Sequence, residues 1–257
     1  MPSQASTPGP LSAQSGLATI ALRSDAHATV LARHRLDFCC GGQRTLSEAC
    51  QASGLNVNAL LAELDAAAQA RAAASTTVDW EQRSLPEVID FIVHTHHAFT
   101  RAAITRITPL LAKVLAKHGG QHPELAEVER AFSVLAADME PHMLREERVL
   151  FPYIAALALP AEPALTPPFG TVRNPVRMMM AEHDRAAELL ADIRDATGDF
   201  AAPPSACNSY RAVYAALAEL HLDLLRHVSL ENNVLFPRAI DLEARRRTVA
   251  SAPPALT

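Results

Sequence analysis

No stretch of this 257-residue chain is apolar and uncharged over anything near the ~18–20 residues that span a membrane, so no membrane partner is expected. The N-terminus lacks a basic patch followed by an apolar segment, and no secretory signal is expected. Basic residues are not in surplus. There are 23 Lys and Arg against 28 Asp and Glu, a formal net charge of -5, and the cations are scattered. Nothing builds a positive groove, which excludes nucleic acid as an expected partner. Cysteine is scarce as well, with four residues. That is no disulfide framework for a chain of this length, and a reducing, cytoplasmic setting is expected. One Trp and three Tyr leave little to build strands from. Alanine and leucine are abundant and apolar residues recur at three and four, so the fold class is all-α.

The order of elements follows from composition and caps. Residues 1–22, rich in Pro, Ser, Thr, Ala and Gly, read as a disordered tail. Residues 23–74 read as a small helical domain. Ser24 or Asp25 caps its first helix, which ends near Leu36-Asp37-Phe38-Cys39-Cys40-Gly41-Gly42. Thr45 or Ser47 caps the second helix, Leu46 to Ser53, and Asn56 or Asn58 the third. Residues 75–84 form a linker holding Trp80, residues 85–246 a larger domain opened by Ser84-Leu85-Pro86, and residues 247–257 a second tail.

Four long helices are predicted in the larger domain, at about 86–117, 124–151, 173–197 and 205–245, with a Pro- and Ala-rich connection at 152–171. Pro152 and Pro237 should break or kink the second and fourth. Apolar stripes run through Val93, Thr100, Ile104 and Ile107 on the first, and through Leu135, Met139 and Val149 on the second. On the third they run through Val176, Met180, Ala187 and Leu190, and on the fourth through Leu217, Leu220, Leu224 and Val234. His97, His142, Glu146, His183, His227 and Glu231 lie on those same stripes and should face the core.

A repeat organises them. His142-Met-Leu-Arg-Glu146 and His227-Val-Ser-Leu-Glu231 each run on, after three intervening residues, into Leu-Phe-Pro, and both the histidines and the glutamates are 85 positions apart. A histidine and a glutamate at i and i+4 share one face of a helix. Two carboxylates in one core need cations, and no Lys or Arg occupies the stripe positions. Four imidazoles and two carboxylates suit two metal ions. If both glutamates bridge, each ion receives two imidazoles and two carboxylate oxygens. An oxo or hydroxo bridge adds a fifth ligand and leaves one position for O2, peroxide or nitric oxide. Nitrogen and oxygen ligands without thiolate favour iron, and four-helix bundles build such sites from facing helices.

Asp138, Glu147, Glu182 and Asp184 lie beside these ligands and are expected to orient imidazoles through their second N–H. On the first helix, His94 and His96 rival His97 for the ligand position. Met178-Met179-Met180 reads as core filling, and Cys50 and Cys207 as packed thiols. Adjacent Cys39 and Cys40 suit an unstrained disulfide poorly. A thiol redox centre, with His34 lowering a thiol pKa, a metal site, and two small apolar residues at a helix end all remain open for them.

These motifs resemble the iron-sulfur cluster repair di-iron proteins, the regulators of cell morphogenesis and NO signalling. Leu36-Asp37-Phe38-Cys39-Cys40-Gly41-Gly42 is similar to the hallmark of that family's N-terminal domain. The two His-x-x-x-Glu-x-x-x-Leu-Phe-Pro copies with Glu182-His183-Asp184 are similar to its hemerythrin-like domain. The resemblance implies an up-down four-helix bundle behind a small helical domain, with two irons held by His97, His142, Glu146, His183, His227 and Glu231. It implies a cytoplasmic, dimer-forming protein that repairs clusters damaged by nitrosative or oxidative stress, with iron-sulfur proteins as partners. Iron supply and nitric oxide reduction are the two mechanisms implied for that family. An O2 or NO carrier or sensor of the hemerythrin type leaves the double cysteine unexplained.

Overall fold

The computed structural model describes residues 9–71, 78–159 and 167–251. They contain no strand, only an isolated bridge between Gly16 and Thr45. The chain divides into two compact units, Met1–Asp79 and Trp80–Thr257.

The smaller unit holds α1 (Leu17–Ala21), α2 (Asp25–Arg33), α3 (Leu46–Ser53) and α4 (Val57–Arg71). Ser24 caps α2, Thr45 and Glu48 form a capping box on α3, and Asn56 accepts from the backbone N–H groups of Asn58 and Ala59 to start α4. Helix α1 corrects the expected tail at 1–22. Leu17 and Ile20 are fully buried, and the backbone N–H groups of Leu17 and Ala18 donate to the carbonyls of Arg44 and Gly42. The Pro- and Ser-rich stretch in front of it hides a short apolar face that this small unit needs for its core. Residues 1–8 of that tail, 72–74 of the expected small domain and 75–77 of the expected linker lie outside the described residues.

The larger unit is an up-down bundle of α6 (Ala98–His118), α7 (Glu124–Arg145), α9 (Arg173–Ala196) and α10 (Asn208–Leu230). Helix α6 packs on α7 and α10, and α7 on α9. Short or extended helices continue three of them: α5 (Leu85–Phe91) before α6, α8 (Phe151–Ala158) after α7 and α11 (Phe236–Ser251) after α10. Ser84 and Glu87 close a capping box on α5, and Trp80 packs on Phe91 with ring centroids 4.6 Å apart and planes tilted by 56°. Trp80 therefore belongs to this unit.

Each junction is a π-helical turn: π1 (Ile92–His97), π2 (Glu146–Leu150) and π3 (Glu231–Leu235). In π2 and π3 the chain widens just ahead of Pro152 and Pro237, whose rings would collide with the carbonyl four residues back in a regular helix. The expected breaks are thus absorbed, and residues 151–158 and 236–251 remain helical. The expected tail at 247–257 accordingly starts inside a helix. The wide turn also shifts the register. Val149 is 47% exposed while Leu150 and Phe151 are buried, against the expected stripe. On α9 the stripe passes through Met179 and Ala186 rather than Met180 and Ala187, so Met178 and Met180 are exposed and do not fill the core.

Glu243 on α11 fixes the far ends. Its buried carboxylate accepts from Tyr153 Oη at 2.7 Å, Thr171 Oγ1 at 2.5 Å and the Val172 backbone N–H at 2.9 Å. It joins α8 and the entry to α9 onto α11. Replacing one partner of such a set leaves the others unsatisfied. Glu243→Leu is expected to lower unfolding stability by roughly 1–3 kcal/mol, read from the denaturant midpoint. An unchanged midpoint would remove Glu243 from this role.

Candidate metal centre

The six side chains picked out by the stripes converge. His97, Glu146, His227 and Glu231 bring one ligand atom each within 4.8 Å of one another, and so do His142, Glu146, His183 and Glu231. Both glutamates belong to both groups. His97 and Glu146 come from π1 and π2, Glu231 opens π3, and the other histidines sit near the ends of α7 and α10 or midway along α9. All six are buried, with both glutamates at 0% exposure. Three wide turns place three of the six donors, as π-turns often do at functional sites.

Within each group the imidazoles face one another. His97 Nε2 lies 3.2 Å from His227 Nε2, and His142 Nε2 lies 3.2 Å from His183 Nε2. Neighbouring nitrogens around one ion, each bonded at about 2.1 Å, have about this spacing. Glu146 Oε2 is 3.4 Å from His97 Nε2 and 3.3 Å from His142 Nε2, between the two groups. Glu231 reaches His227 Nε2 with Oε1 at 2.9 Å and His183 Nε2 with Oε2 at 3.1 Å.

The outward ring nitrogens set the tautomers. His97 Nδ1 lies 2.8 Å from Glu147, His142 Nδ1 2.7 Å from Glu182, and His183 Nδ1 3.0 Å from Asn232 Oδ1. Each partner is an acceptor, so each Nδ1 donates and each Nε2 turns a lone pair inward. Three imidazoles thus turn lone pairs toward the two carboxylates, while His227 Nε2 lies 2.9 Å from Glu231 Oε1. Both oxygens of Glu146 and Oε2 of Glu231 have no hydrogen-bond partner among the described residues. Buried acceptors in this state are costly, and cations relieve them. The residues present therefore fit a pair of metal ions.

The outer carboxylates are held as anions. Burial works to raise Glu147 and Glu182, but Arg101 with His97, and Arg145 with His142, lower both below the usual carboxylate range. Arg101 Nη1 donates to Glu147 at 2.9 Å, and Arg145 Nη2 to both oxygens of Glu182 at 2.7 Å. Within the centre, burial and then Glu231 push Glu146 well up. Burial works against Glu231 too, but His227 and His183 hold it down.

The expectations for the surroundings are met unevenly. Glu147 and Glu182 lie within hydrogen-bond distance of His97 Nδ1 and His142 Nδ1. Asp138 does not; its carboxylate pairs with Arg185 at 2.8 Å, because one turn before His142 carries it toward the surface of α9. Asp184 is exposed. His94 points to Asp90 in solvent, and His96 bonds Asp223 at 3.0 Å while stacking on His227. Asn232 was not anticipated, although its place directly after Glu231 matches that of Glu147 after Glu146. A cavity of about 250 Å³ lined by Asp138, Arg145, Glu182 and Arg185 reaches His142 and His183.

The thiols also differ from expectation. His34 pairs with Glu63 at 2.7 Å, and the Cys39 thiol is shifted up by Cys40, burial and Asp37, not down. Cys50 is packed, whereas Cys207 is half-buried at the start of α10, 3.3 Å from His118 Nε2.

Burial and then His227 depress His97 to about 4, and burial and then His183 depress His142 to about 4. The unfolded chain protonates near about 6.5, so between these values it binds more protons than the folded protein. His97 and His142 alone should cost the metal-free protein on the order of 3 kcal/mol per imidazole as pH falls from about 6.5 to about 4, while the raised Glu146 carboxyl acts with the opposite sign. Denaturation midpoints of metal-free Glu146→Gln protein across that window isolate the imidazoles, and a flat profile would contradict their burial in the neutral form.

Comparison with known proteins agrees with the geometry. Residues 87–239 match the hemerythrin HHE cation binding domain, and residues 13–68 match ScdA_N, a domain of unknown function (DUF542). The chain is 34% identical over 224 residues to the iron-sulfur cluster repair protein YtfE of Cronobacter sakazakii, covering 87% of this chain and 95% of that protein. It is 32% identical over 225 residues to YtfE of Escherichia coli O157:H7, covering 87% and 96%. No described helix is long and apolar enough to cross a membrane. The chain belongs to the iron-sulfur cluster repair family, with a hemerythrin HHE cation-binding domain behind an ScdA_N domain.

Proposed function

We propose that the larger unit holds two iron ions, one between His97 and His227 and one between His142 and His183, with Glu146 and Glu231 shared. The observation that carries this reading is the membership of both glutamates in both donor groups. Iron so held supplies redox chemistry and an exchangeable cation. The chain's residues do the rest. Glu147, Glu182 and Asn232 fix three imidazoles in the tautomer that presents Nε2. Phe151 and Phe236 lie over His97 and His183 at 5.8 and 6.1 Å and shield the centre from bulk water. The cavity beside His142 and His183 gives small solutes such as nitric oxide, O2 or peroxide a path to one half.

The protein acts, in this reading, on damaged iron-sulfur proteins in the reducing cytoplasm, restoring their clusters by supplying iron. The relatives' shared name and their coverage of nearly their whole length support it.

Protein loaded with iron-57 and mixed with a client whose four-iron cluster has lost one iron is the direct test. Iron-57 in the restored cluster is expected. Recovery of the client without the label, or nitrous oxide formed over many turnovers with an added electron donor and no iron transfer, would replace iron supply with another activity. His227→Leu with Glu231→Leu should lose most bound iron. Metal-free, that variant should be at least as stable as the metal-free parent, because a buried charge has been removed. Full iron retention, measured by metal analysis, would contradict the assignment.

A further inference from the structure

The small unit carries a donor cluster that the iron centre does not use. Sγ of Cys39, Sγ of Cys40 and a carboxylate oxygen of Asp37 lie within 4.8 Å of one another. The two sulfurs are 3.7 Å apart, and Cys39 Sγ is 3.3 Å from Asp37 Oδ1. Two thiolates bound to one tetrahedral ion at about 2.3 Å are separated by close to this distance.

The loop holds the donors in place. Asp37 Oδ1 accepts from the backbone N–H groups of Cys39 at 3.1 Å and Cys40 at 2.9 Å, and Oδ2 accepts from Gly41 at 2.8 Å. Gly41 permits the closure, since a Cβ there would lie 2.9 Å from Asp37 Oδ2. Leu36, Phe38 and Cys39 are buried and anchor the turn, whereas Asp37 is exposed and Cys40 half-buried. The three donors therefore meet where buried Cys39 adjoins half-buried Cys40 and exposed Asp37.

A disulfide is the competing use of two neighbouring thiols. Adjacent Cα atoms are about 3.8 Å apart across a trans peptide, inside the ~4.4 Å lower limit of ordinary disulfides. Chelation requires no such compression. Two thiolates and one carboxylate also select a different ion from the imidazole and carboxylate set of the larger unit, because soft sulfur prefers thiophilic metals.

We propose that Asp37, Cys39 and Cys40 form a second metal site that takes one thiophilic divalent cation, leaving its fourth position to water or an incoming ligand. The site stands apart from the reading of the iron centre and does not depend on it.

Cobalt(II) is the probe, added without oxygen to the reduced, iron-loaded full chain. A thiolate-to-cobalt charge-transfer band saturating at one equivalent is expected, and zinc(II) should abolish it. The imidazole and carboxylate centre has no thiolate and cannot produce this band. Cys40→Ser should remove it, Cys207→Ser should leave it, and Asp37→Asn should weaken binding at least tenfold. Mass mapping of alkylated thiols in the unmodified chain needs no variant. Zinc(II) should protect half-buried Cys40 and leave the labelling of Cys50 and Cys207 unchanged. Absence of the band, its survival in folded Cys40→Ser, or equal alkylation of Cys40 with and without zinc(II) would overturn the proposal.

Discussion

Two carboxylates, Glu146 and Glu231, are fully buried and turned toward imidazoles, with no lysine or arginine among the buried described residues. That arrangement is unfavourable unless positive charge is brought in, and the rest of the larger unit is shaped by it. The nearby guanidinium groups, Arg101 and Arg145, do not neutralise the inner pair. They hold the outer carboxylates Glu147 and Glu182, which lock imidazoles from behind. Cationic side chains are thus kept one layer out, and the innermost position is left for ions.

The approximate two-fold repeat extends past the donors. Glu147 behind His97 has its counterpart in Asn232 behind His183, and Phe151 over His97 in Phe236 over His183. The symmetry then fails. Glu182 stands behind His142, but the equivalent place before His97 is taken by His96, which stacks on His227 and bonds Asp223. His227 Nδ1 has no hydrogen-bond partner among the described residues. The two halves of the centre are therefore electrostatically unequal: one imidazole pair is backed by a carboxylate and an amide, the other by a single carboxylate.

The six donors were legible because each interrupts an apolar stripe whose neighbours, such as Leu135, Met139 and Leu224, are buried. The choice of His97 over His94 and His96 followed from that stripe as well. The wide turns were not legible. Their register shift depends on how the helix accommodates a following proline and a converging donor set, and it turned Val149 outward. On α9, Met179 and Met180 are equally apolar, and periodicity alone does not choose between them. For Asp138, sharing a face with His142 fixes its direction around the helix, not its depth in the bundle. Leu17 and Ile20 sit in a short helix inside a Pro- and Ser-rich segment, which carries too few residues to show a period.

Mössbauer spectroscopy on iron-57 protein in its oxidised form, with iron counted on the same sample, tests the shared carboxylates most directly. Two irons per chain forming one spin-coupled pair are expected, since Glu146 and Glu231 would link them. A single iron per chain with the magnetic spectrum of an isolated ferric ion would contradict the account.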